Sequence, residues 1–586
     1  MKGVLLGISS SHDASACVFV DGELKAAISE ERLTRVKCDG GRLPELAIDR
    51  CLAMAGAVRR DVDAIAMTYN HVPEEYCRRT SARKEIERRL SRALKKFLGR
   101  PNRSQYFLSE ILRHLRRTPG AKFEDYFFAD CFLAGEGFRP GIPIQFVDHH
   151  LTHAVAAAWY SGFPSAAVLT MDGEGDLDMH HTSSAFAGGR LHCLHVSDTP
   201  GNSPGYFYMS ITELLGFMPL RHEGKVLGLA AFGDPAPLRD ALRRALRLSS
   251  DGAGFDSDFA GREGALDRRH EYLARTIAGH SREDVASAAQ QVFEEAIVAL
   301  ARNFLRESGE RRLALNGGVF ANVKLNQRLA ALPEADSVFV FPAMSDAGNS
   351  VGAALAVLDR LEPGHLAASH EPLRTVYWGP EFGTLALADE LRKRGFEFQS
   401  LGEGEILDKA AQAIHAGRVV GWFQGRMEFG PRALGNRSML ARPTDAAINK
   451  SLNARLERTE FMPFAPSVLD EHADGIFENV AKARHTAEFM TITFDVRQEW
   501  RARIPAVVHV DGTARPQLVR RDRNPLYWAL IERYRQLSGI PLVLNTSFNV
   551  HEEPIVCAPA EAAQALADER IDALALGPFW AEGRKR

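Results

Sequence analysis

The chain has 586 residues, of which 45% are apolar and 25% are charged, as in an ordinary globular protein. Single hydrophobic cores stop growing at roughly 250–300 residues, so two or three domains are expected. A net charge of −3 argues against a surface that binds nucleic acid along its whole extent. The seven cysteines are scattered without a CxxC pair, which argues against a disulfide framework or a thiolate zinc site. With no signal peptide and no apolar run of the roughly 20 residues that a membrane span needs, we expect a cytoplasmic protein.

Two segments about 160 residues apart share one order of strand-like runs, loops and turns. In the first, a polar loop with His12 and Asp13 follows the apolar run 4–8, and two more strand-like runs form a hairpin. In the second, residues 166–170 lead into the polar loop 171–176 and a further hairpin. A duplicated unit of this kind suggests the actin, Hsp70 and sugar-kinase architecture, in which two related α/β lobes enclose a nucleotide. Two unrelated hairpins in one α/β protein are the alternative.

Residues 78–117 carry fourteen Lys or Arg and only three acidic residues. Apolar residues keep helical spacing on both sides of Pro101-Asn102, which predicts a basic helical hairpin. Such a hairpin could contact RNA or an acidic substrate, but a solvated outer face explains the pattern as well.

An alanine-rich segment follows Asp148 and favours a helix. On that helix His149 and His153 lie one turn apart on the same face, a spacing that can chelate one metal ion. Packed or hydrogen-bonded histidines would also explain this spacing, and a third ligand would have to come from a distant part of the chain. The glutamate of the HExxH motif is absent, so a zincin protease is not supported.

Glycines further along the chain mark possible nucleotide contacts. Lys225 lies among glycines and could meet a phosphate, although the chain has no GxxxxGK[ST] motif and a surface lysine would look the same. A strand that leads into Gly317-Gly318 and then a helix is where actin-type folds hold the adenosine. Residues 361–372 are the best candidate linker. They divide the chain into a predicted two-lobed domain, 1–360, and a second α/β domain, 373–586.

Residues 424–438 read QGRMEFGPRALGNRS. Glycines let a backbone approach a ligand closely, and arginine forks match phosphate and carboxylate oxygens. The loop is therefore a candidate oxyanion cradle, with a glycine-rich turn whose arginines pair with surface acids as the alternative. The string resembles the fingerprint of the O-carbamoyltransferases of the NodU/CmcH type, a family that decorates antibiotics, nodulation factors and related metabolites. Further blocks in the same order extend the resemblance over nearly the full chain.

The resemblance implies a two-lobed actin-like (ASKHA) N-terminal domain and a smaller YrdC-like α/β C-terminal domain. In the first domain it implies iron, or zinc in its place, on His149, His153 and a distant aspartate. The matching loop is residues 341–350, which makes Asp346 the third expected ligand. The expected nucleotide contacts in this domain are Lys225, Gly317, Gly318 and Asn349.

In the C-terminal domain the resemblance implies a site for carbamoyl phosphate and for ATP with Mg²⁺. The residues expected to hold them are Arg426, Arg432, Arg437, Arg458, Arg515, Asn545 and Ser547. The chain departs from the family at Met462, where an arginine is frequent, and near Leu456, where a lysine is usual. We expect Arg455 and Arg458 to supply the missing charge.

The resemblance thus implies an ATP-dependent O-carbamoyltransferase. Carbamoyl phosphate and ATP would form carbamoyl adenylate in the C-terminal domain, and a hydroxyl of a small-molecule natural product would attack the carbamoyl carbon in the N-terminal domain. A metal ion there could polarise the carbonyl. His12, with Asp13 beside it, is the expected general base or oxyanion partner, because an imidazole titrates near working pH. A homodimer is the prior expectation.

Two alternatives stay open from the sequence. Transfer of a threonylcarbamoyl group to tRNA shares both domain types by resemblance and could use the basic hairpin, but the motif at 424–438 favours a small-molecule acceptor. A non-catalytic nucleotide-binding module would explain the first domain and leave the arginine-lined loops of the second without a role.

Overall fold

The computed structural model describes residues 2–69, 72–73, 76–77, 111, 123–368, 371–457 and 464–583. The predicted basic hairpin at 78–117 lies outside these residues except for position 111. Two residues that the sequence analysis singled out, Arg458 and Met462, also lie outside them.

The first sheet is built around the N-terminal strand. Its strands are β1 Val4–Ser9, β2 Ser15–Val20, β3 Glu23–Ser29, β4 Val62–Thr68 and β5 Ile144–Val147. They lie in the order β3-β2-β1-β4-β5, with β1 antiparallel to β2 and parallel to β4. Strands β1 and β2 are buried along almost their whole length, as expected of apolar strands that are covered on both faces.

The second sheet repeats this arrangement. Its strands are β6 Ser165–Met171, β7 His181–Ala187, β8 Arg190–Ser197, β11 Arg312–Asn316 and β12 Ser337–Val340, while β9 Arg247–Leu248 and β10 Phe255–Asp256 form a separate hairpin. The order is β8-β7-β6-β11-β12, and β6 is antiparallel to β7 and parallel to β11. The duplication predicted from the sequence is confirmed, and with it the two-lobed actin-like class.

Two helices join the duplicated sheets. Helix Asn349–Leu361 packs on β1 and β4, helix His149–Tyr160 packs on β6 and β11, and the two helices pack on each other. The close approach depends on Gly352, because a Cβ there would lie 2.0 Å from the carbonyl oxygen of Thr152. The beginnings of both helices are thereby brought to the same end of the molecule.

The remaining helices of the described residues pack on the sheets or on one another. In the first 368 residues they are Glu31–Thr34, Glu45–Met54, Ala129–Gly135, Pro204–Leu214, Glu223–Ala230, Arg239–Leu242, Ala265–Ile277, Arg282–Ser308, Val323–Ala330 and His365–Ala368. In the rest of the chain they are Thr384–Lys393, Glu403–His415, Ala447–Arg455, Ala473–Ile476, Arg484–Ala487, Gln498–Arg501, Pro525–Ser538 and Pro559–Ala567. No helix within the described ranges is long and apolar enough to span a membrane.

A third sheet of eight strands draws only on residues after 397. Its strands are β13 Phe398–Ser400, β14 Val420–Phe423, β15 Arg437–Ala441, β16 Ala465–Leu469, β19 Gln517–Val519, β20 Leu542–Ser547, β21 Ala573–Leu576 and β22 Phe579–Glu582, and β17 Phe494–Asp495 pairs separately with β18 Thr513–Ala514. The order is β13-β22-β21-β14-β15-β20-β16-β19, a mixed sheet with helices packed on it. This confirms the α/β class expected for the C-terminal part.

The third sheet and the two-lobed part share a hydrophobic cluster. Phe341 and Ala343, from the loop after β12, pack in one buried cluster with Phe429 and Leu434 from the motif at 424–438. That motif therefore lies against the loop that carries Asp346.

Candidate active site

Two histidines and two aspartates converge in a cleft between the lobes. His149 and His153 lie on one face of their helix, Asp172 follows β6, and Asp346 begins a short turn after β12. A donor atom from each of the four lies within 4.8 Å of those of the others. The structure brings together the predicted trio His149, His153 and Asp346, and it adds Asp172.

The start of the histidine helix is fixed by carboxylates. The Asp148 side chain accepts a hydrogen bond from the Leu151 backbone N–H at 2.9 Å, and Asp176 Oδ2 accepts one from the His149 backbone N–H at 2.8 Å. Side-chain acceptors of this kind satisfy the free N–H groups of a helix start. These two carboxylates fix the backbone at His149.

The four side chains have the chemistry of a metal site. His149 Nε2 lies 3.6 Å from Asp346 Oδ1, and His153 Nε2 lies 3.5 Å from Asp172 Oδ2. These separations are longer than good hydrogen bonds, and they suit donor atoms arranged around a common centre. Two imidazoles and two carboxylates are a donor set that Fe²⁺ or Zn²⁺ accepts.

Electrostatics at this cluster favour a cation. Burial alone would raise the pKa of Asp346, but the neighbouring imidazoles, His149 first, hold it well below its usual range. Burial likewise opposes a charged His153, yet the two carboxylates raise the pKa of its imidazole to about 9. Positive charge is therefore stabilised at the centre of the cluster.

Asp172 is a candidate ligand that was not predicted from the sequence. It lies in the polar loop 171–176, which was recognised as one half of the duplicated unit but not assigned a metal. Its carboxylate is oriented by the Gly318 backbone N–H, which donates to Asp172 Oδ2 at 3.0 Å. The duplicated unit could have indicated Asp172, because it places the loop 171–176 opposite the loop with His12.

His12 and Asp13 lie beside the cluster. His12 Nδ1 lies 3.3 Å from Asp346 Oδ2, and 31% of the side chain is exposed to the cleft. Burial opposes its charged form, but Asp346, Asp13 and Asp172 raise the pKa of His12 to about 9, a rise that a cation on the carboxylates would reverse. Asp13 Oδ2 accepts a hydrogen bond from Ser345 Oγ at 2.7 Å, so Asp13 braces the loop that carries Asp346.

Of the four predicted nucleotide contacts, Gly318 lies on the wall of the cleft, whereas Gly317, Lys225 and Asn349 do not. Gly318 lines the cleft, a cavity of about 190 Å³ that also reaches His12, Asp172 and Asp346. Gly317 has a φ of 106°, and a Cβ there would lie 2.1 Å from the Met171 carbonyl oxygen, so it serves the close approach of two loops.

Asn349 and Lys225 lie away from the cavity surface. Asn349 is buried behind the metal cluster, where its Oδ1 accepts from Thr152 Oγ1 at 2.8 Å and its Nδ2 lies 3.5 Å from His149 Nδ1. This position does not suit the nucleotide contact predicted for Asn349, and it suits support of His149 instead. Lys225 is also buried, with its Nζ 3.4 Å from His551 Nε2 at the junction with the third sheet.

The motif at 424–438 forms the connection between β14 and β15 and is folded around one carboxylate. Glu428 is buried, and its Oε1 accepts hydrogen bonds from the backbone N–H groups of Leu434, Asn436 and Arg437 at 2.7–3.1 Å. Three N–H donors on one oxygen hold the loop in a single conformation.

The arginines of this loop have different partners. The Arg437 guanidinium donates to four backbone carbonyls at 2.7–3.1 Å and lies over the Phe423 ring, and Arg426 donates to those of Lys25, Trp378 and Gly379. These bonds make both side chains parts of the framework and disfavour the anion contacts predicted for them. The Arg432 guanidinium makes no hydrogen bond or ion pair with any described residue. Burial lowers the pKa of Arg432 to about 10, so it stays charged at neutral pH.

Asn545 and Ser547, on β20, lie beside the same loop. Asn545 is buried on β20, and its Nδ2 lies 3.2 Å from the carbonyl oxygen of Ala433, next to Arg432. Ser547 follows on the same strand and donates to Asn549, and Arg515 is half-buried beside β18.

Two positions bear on the departures from the family pattern. Leu456 is fully buried in the core and presents no group to a site. Arg455, which we expected to supply the missing charge, forms an ion pair with Asp572 at 2.9 Å. That expectation now rests on Arg458 alone.

The loop with Arg432 touches the loop with Asp346. A Cβ on Gly430 would lie 3.3 Å from the carbonyl oxygen of Pro342, and Arg32 of the first lobe donates to the Gly430 carbonyl at 2.9 Å. The two predicted sites are thus built on neighbouring loops.

Comparison with known proteins covers both parts of the chain. The family model for the carbamoyltransferase N-terminus matches residues 4–355, and the one for the carbamoyltransferase C-terminus matches residues 411–583. Nodulation protein NolNO of Sinorhizobium fredii is 35% identical over 580 residues, which cover 97% of this chain and 78% of that protein. The 3'-hydroxymethylcephem-O-carbamoyltransferase of Streptomyces clavuligerus is 29% identical over 448 residues, covering 74% of this chain and 78% of that enzyme.

Among solved structures, full-length HypF in its phosphate- and nucleotide-bound form aligns with a TM-score of 0.31 and 11% identity, covering 63% of this chain and 57% of that one. The family models account for most of the chain, and the relatives align along most of their own length. The chain belongs to the carbamoyltransferase family.

Proposed function

We propose that the protein is an ATP-dependent O-carbamoyltransferase that acts on a hydroxyl of a small-molecule natural product. The observation that carries this is the cleft in which His12 meets the cluster His149, His153, Asp172 and Asp346. The cephem enzyme among the relatives is named for O-carbamoyl transfer, which supports a hydroxyl acceptor. A cytoplasmic location and a homodimer stay predictions.

The cluster fits a resident divalent metal ion. His149, His153, Asp172 and Asp346 would hold it, with Fe²⁺ as the first choice and Zn²⁺ as the alternative. When bound, such an ion supplies a Lewis acid that can polarise a carbonyl oxygen.

His12 has the position of the proton acceptor in the transfer step. Its Nδ1 faces Asp346, which leaves Nε2 for the acceptor hydroxyl. The acceptor oxygen would bond to the carbamoyl carbon, the bond from that carbon to the AMP phosphate oxygen would break, and the hydroxyl proton would pass to His12. AMP is the leaving group, and the cavity beside Gly318 is the place proposed for its nucleoside.

The C-terminal part, 373–586, would prepare the donor. Water would hydrolyse carbamoyl phosphate to carbamate and phosphate. A carbamate oxygen would then bond to the α-phosphorus of ATP, held with Mg²⁺, and the bond from that phosphorus to pyrophosphate would break, which gives carbamoyl adenylate. We assign the anion contact to Arg432, with Arg515, Asn545 and Ser547 around it and Arg458 as a further candidate. Arg426 and Arg437 would hold the loop in shape.

Neighbouring sites suit a reactive intermediate. The contact between Gly430 and Pro342 joins the loop of Arg432 to the loop of Asp346, so the adenylate would have a short path from the 373–586 domain to the 1–360 domain. A short path limits hydrolysis in bulk water.

The overall reaction can be tested without knowing the acceptor. Purified protein would be incubated with carbamoyl phosphate labelled at the carbamoyl carbon, with and without ATP, in the presence of a small-molecule extract. We expect the label to move into an acid-stable organic product only when ATP is present. Transfer that is independent of ATP, or label that leaves carbamoyl phosphate only as carbon dioxide, would contradict the proposed function.

A further inference from the structure

A small depression lies beside β19, an edge strand of the third sheet, and next to the motif at 424–438. Its inner part measures about 20 Å³, which is room for one water-sized group. Its lining residues are 374–377, 488–489, 517–520 and 523–524, together with Leu434 from the motif. The function proposed above assigns no role to the charged residues on this wall.

Four charged side chains line the depression, and three of them are arginines. The described lining residues contribute Arg374, Arg520 and Arg523 as cations, and Glu488 is the one acid among them. Arg520 is paired with Asp522, whose two carboxylate oxygens accept from it at 3.0 and 3.2 Å. Positive charge therefore exceeds negative charge here even after that pair is counted.

Two of the arginines lack a close counterion. Arg374 is exposed and forms no hydrogen bond or ion pair with any described residue. Arg523 is 17% exposed, and its Nε and Nη1 are enclosed without a hydrogen-bond partner among the described residues, with Oδ2 of Asp522 3.7 Å from Nε. Its remaining nitrogen, Nη2, is the one that is accessible to a ligand. Burial and the nearby Arg374 guanidinium lower the pKa of Arg523, so two like charges lie close together and call for an anion near both.

Glu488 limits the positive charge of this depression. It is 9% exposed, its carboxylate accepts no hydrogen bond from a described residue, and its Oε1 lies 3.9 Å from Arg520 Nη1. Burial raises the pKa of Glu488 to about 7, although Arg520 and Arg523 oppose this. A carboxyl group that is partly neutral at pH 7 opposes an incoming anion less than an ionised one does.

Uncharged lining residues hold the neighbouring motif. The carbonyl oxygen of Leu434 accepts from Gln517 Nε2 at 2.7 Å and from Tyr377 Oη at 2.8 Å. Asn524 Nδ2 donates to Tyr377 Oη and to Asn436 Oδ1, both at 3.0 Å. A ligand in the depression would thus lie against the residues that support the motif.

We propose that this depression is a binding site for a phosphate-type oxyanion, held by the guanidinium groups of Arg374 and Arg523. Arginine forks match phosphate oxygens, and two forks suit an anion that has more than two oxygens. The inner part admits one oxygen of a tetrahedral anion, and the others would lie at the mouth. Arg432 is not among the lining residues, so this site is separate from the anion contact assigned to Arg432 and does not depend on the proposed reaction.

Isothermal titration calorimetry with inorganic phosphate tests this on the full-length protein, at an ionic strength held constant with chloride. Arg432→Ala serves as the background, because it removes the heat from the anion contact proposed for catalysis. We expect phosphate to bind this background, and we expect Arg374→Ala and Arg523→Gln each to weaken the binding about tenfold or more. Pyrophosphate is titrated in the same way, and the tighter of the two anions identifies the source of the phosphate group.

Two matched variants separate a built site from general charge attraction. Glu488→Gln removes a charge without a change of shape and should tighten phosphate binding about threefold or more at about pH 8, a result that a folding defect would not give. Arg521 lies in the same segment but over the Trp528 ring, 5.1 Å from its centre, so Arg521→Ala should change the binding by less than about twofold. The proposal is overturned if phosphate does not bind the background, if binding survives both Arg374→Ala and Arg523→Gln, or if Arg521→Ala weakens it equally.

Discussion

Asp172 and His12 occupy equivalent places, each in the loop after the first strand of its sheet. One lobe contributes a carboxylate to the candidate metal site, and the other contributes an imidazole that contacts Asp346. A duplicated fold has thereby acquired two different side chains at matching positions, one suited to hold a metal and one suited to move a proton.

The role of Asp172 predicts the metal content of a variant. Asp172→Asn should lower the metal bound after dialysis against a chelator at least about tenfold, because it removes one anionic ligand from a four-membered set. The measurement is mass spectrometry of the metal per folded chain. His150→Asn is the control, since both ring nitrogens of His150 are hydrogen-bonded, to Thr170 Oγ1 at 2.7 Å and to the Met179 carbonyl at 3.0 Å. Equal loss of metal in both variants would argue against Asp172 as a ligand.

Substitution of His12 should affect acceptor carbamoylation and leave adenylate formation almost unchanged. His12→Asn should slow acceptor carbamoylation by about 100-fold or more, the usual contribution of a positioned proton acceptor. Pyrophosphate release that depends on carbamoyl phosphate should stay within about twofold of the wild type, because that step is assigned to another site. Parallel assays of the two products would show this. Equal loss of both activities would remove His12 from the transfer step.

The connection between β14 and β15 holds arginines with different roles. Glu428 accepts hydrogen bonds from three backbone N–H groups, and Arg437 donates hydrogen bonds to four backbone carbonyls. These two buried charged side chains therefore fix the conformation of the loop. The Arg432 guanidinium makes no such contact with a described residue, which leaves it available for the anion contact proposed above.

Arg432 and Arg437 therefore make a matched pair for substitution. Arg437→Ala should lower the midpoint of thermal unfolding by about 5–10 °C, because four buried carbonyls lose their donors. Arg432→Ala should change the midpoint by less than about 2 °C and reduce pyrophosphate release about 100-fold or more. Scanning calorimetry beside the activity assay separates the two. A large loss of stability in Arg432→Ala with normal release would reverse the assignment.

Sequence patterns predicted the elements of this fold better than the duties of single residues. The order of strand, loop and hairpin was visible twice, because strand periodicity and glycine turns are local signals. The spacing of His149 and His153 likewise follows from helix geometry. The partners of Arg437, from residues 380 to 436, and the position of Asn349 behind His149 depend on how distant segments pack, which no local pattern records.

One loop next to the third sheet is held by both lobes. Arg35 of the first lobe donates to the carbonyls of Pro554 and Ile555. From the second lobe, Arg221 and His222 donate to the carboxylate of Glu552 at 3.2 and 2.7 Å. These contacts tie the third sheet to both lobes that enclose the candidate cleft.

The ionisation of Glu552 should make the stability of this junction depend on pH. Burial opposes its charge, but His222, Lys37 and Arg221 lower its pKa from 4.5 to about 2. The contribution of the ionised Glu552 carboxylate to the free energy of unfolding is therefore fully present above pH 4.5, and it is lost as the pH falls toward 2. Glu552→Gln should lower the unfolding midpoint at pH 7, and the difference from wild type should shrink at about pH 3.5. The exposed neighbour Glu553→Gln should show no such difference, and a gap that widens in acid would contradict this account.

The proposed function depends on activation of a carbamoyl group by ATP, and pyrophosphate release reports that step. The purified wild-type protein would be given ATP and Mg²⁺, with and without carbamoyl phosphate, and with no acceptor. We expect pyrophosphate only when carbamoyl phosphate is present, and we expect its release to be lost in Arg432→Ala. No release under any condition from a protein shown to bind ATP, or release that ignores carbamoyl phosphate, would contradict it.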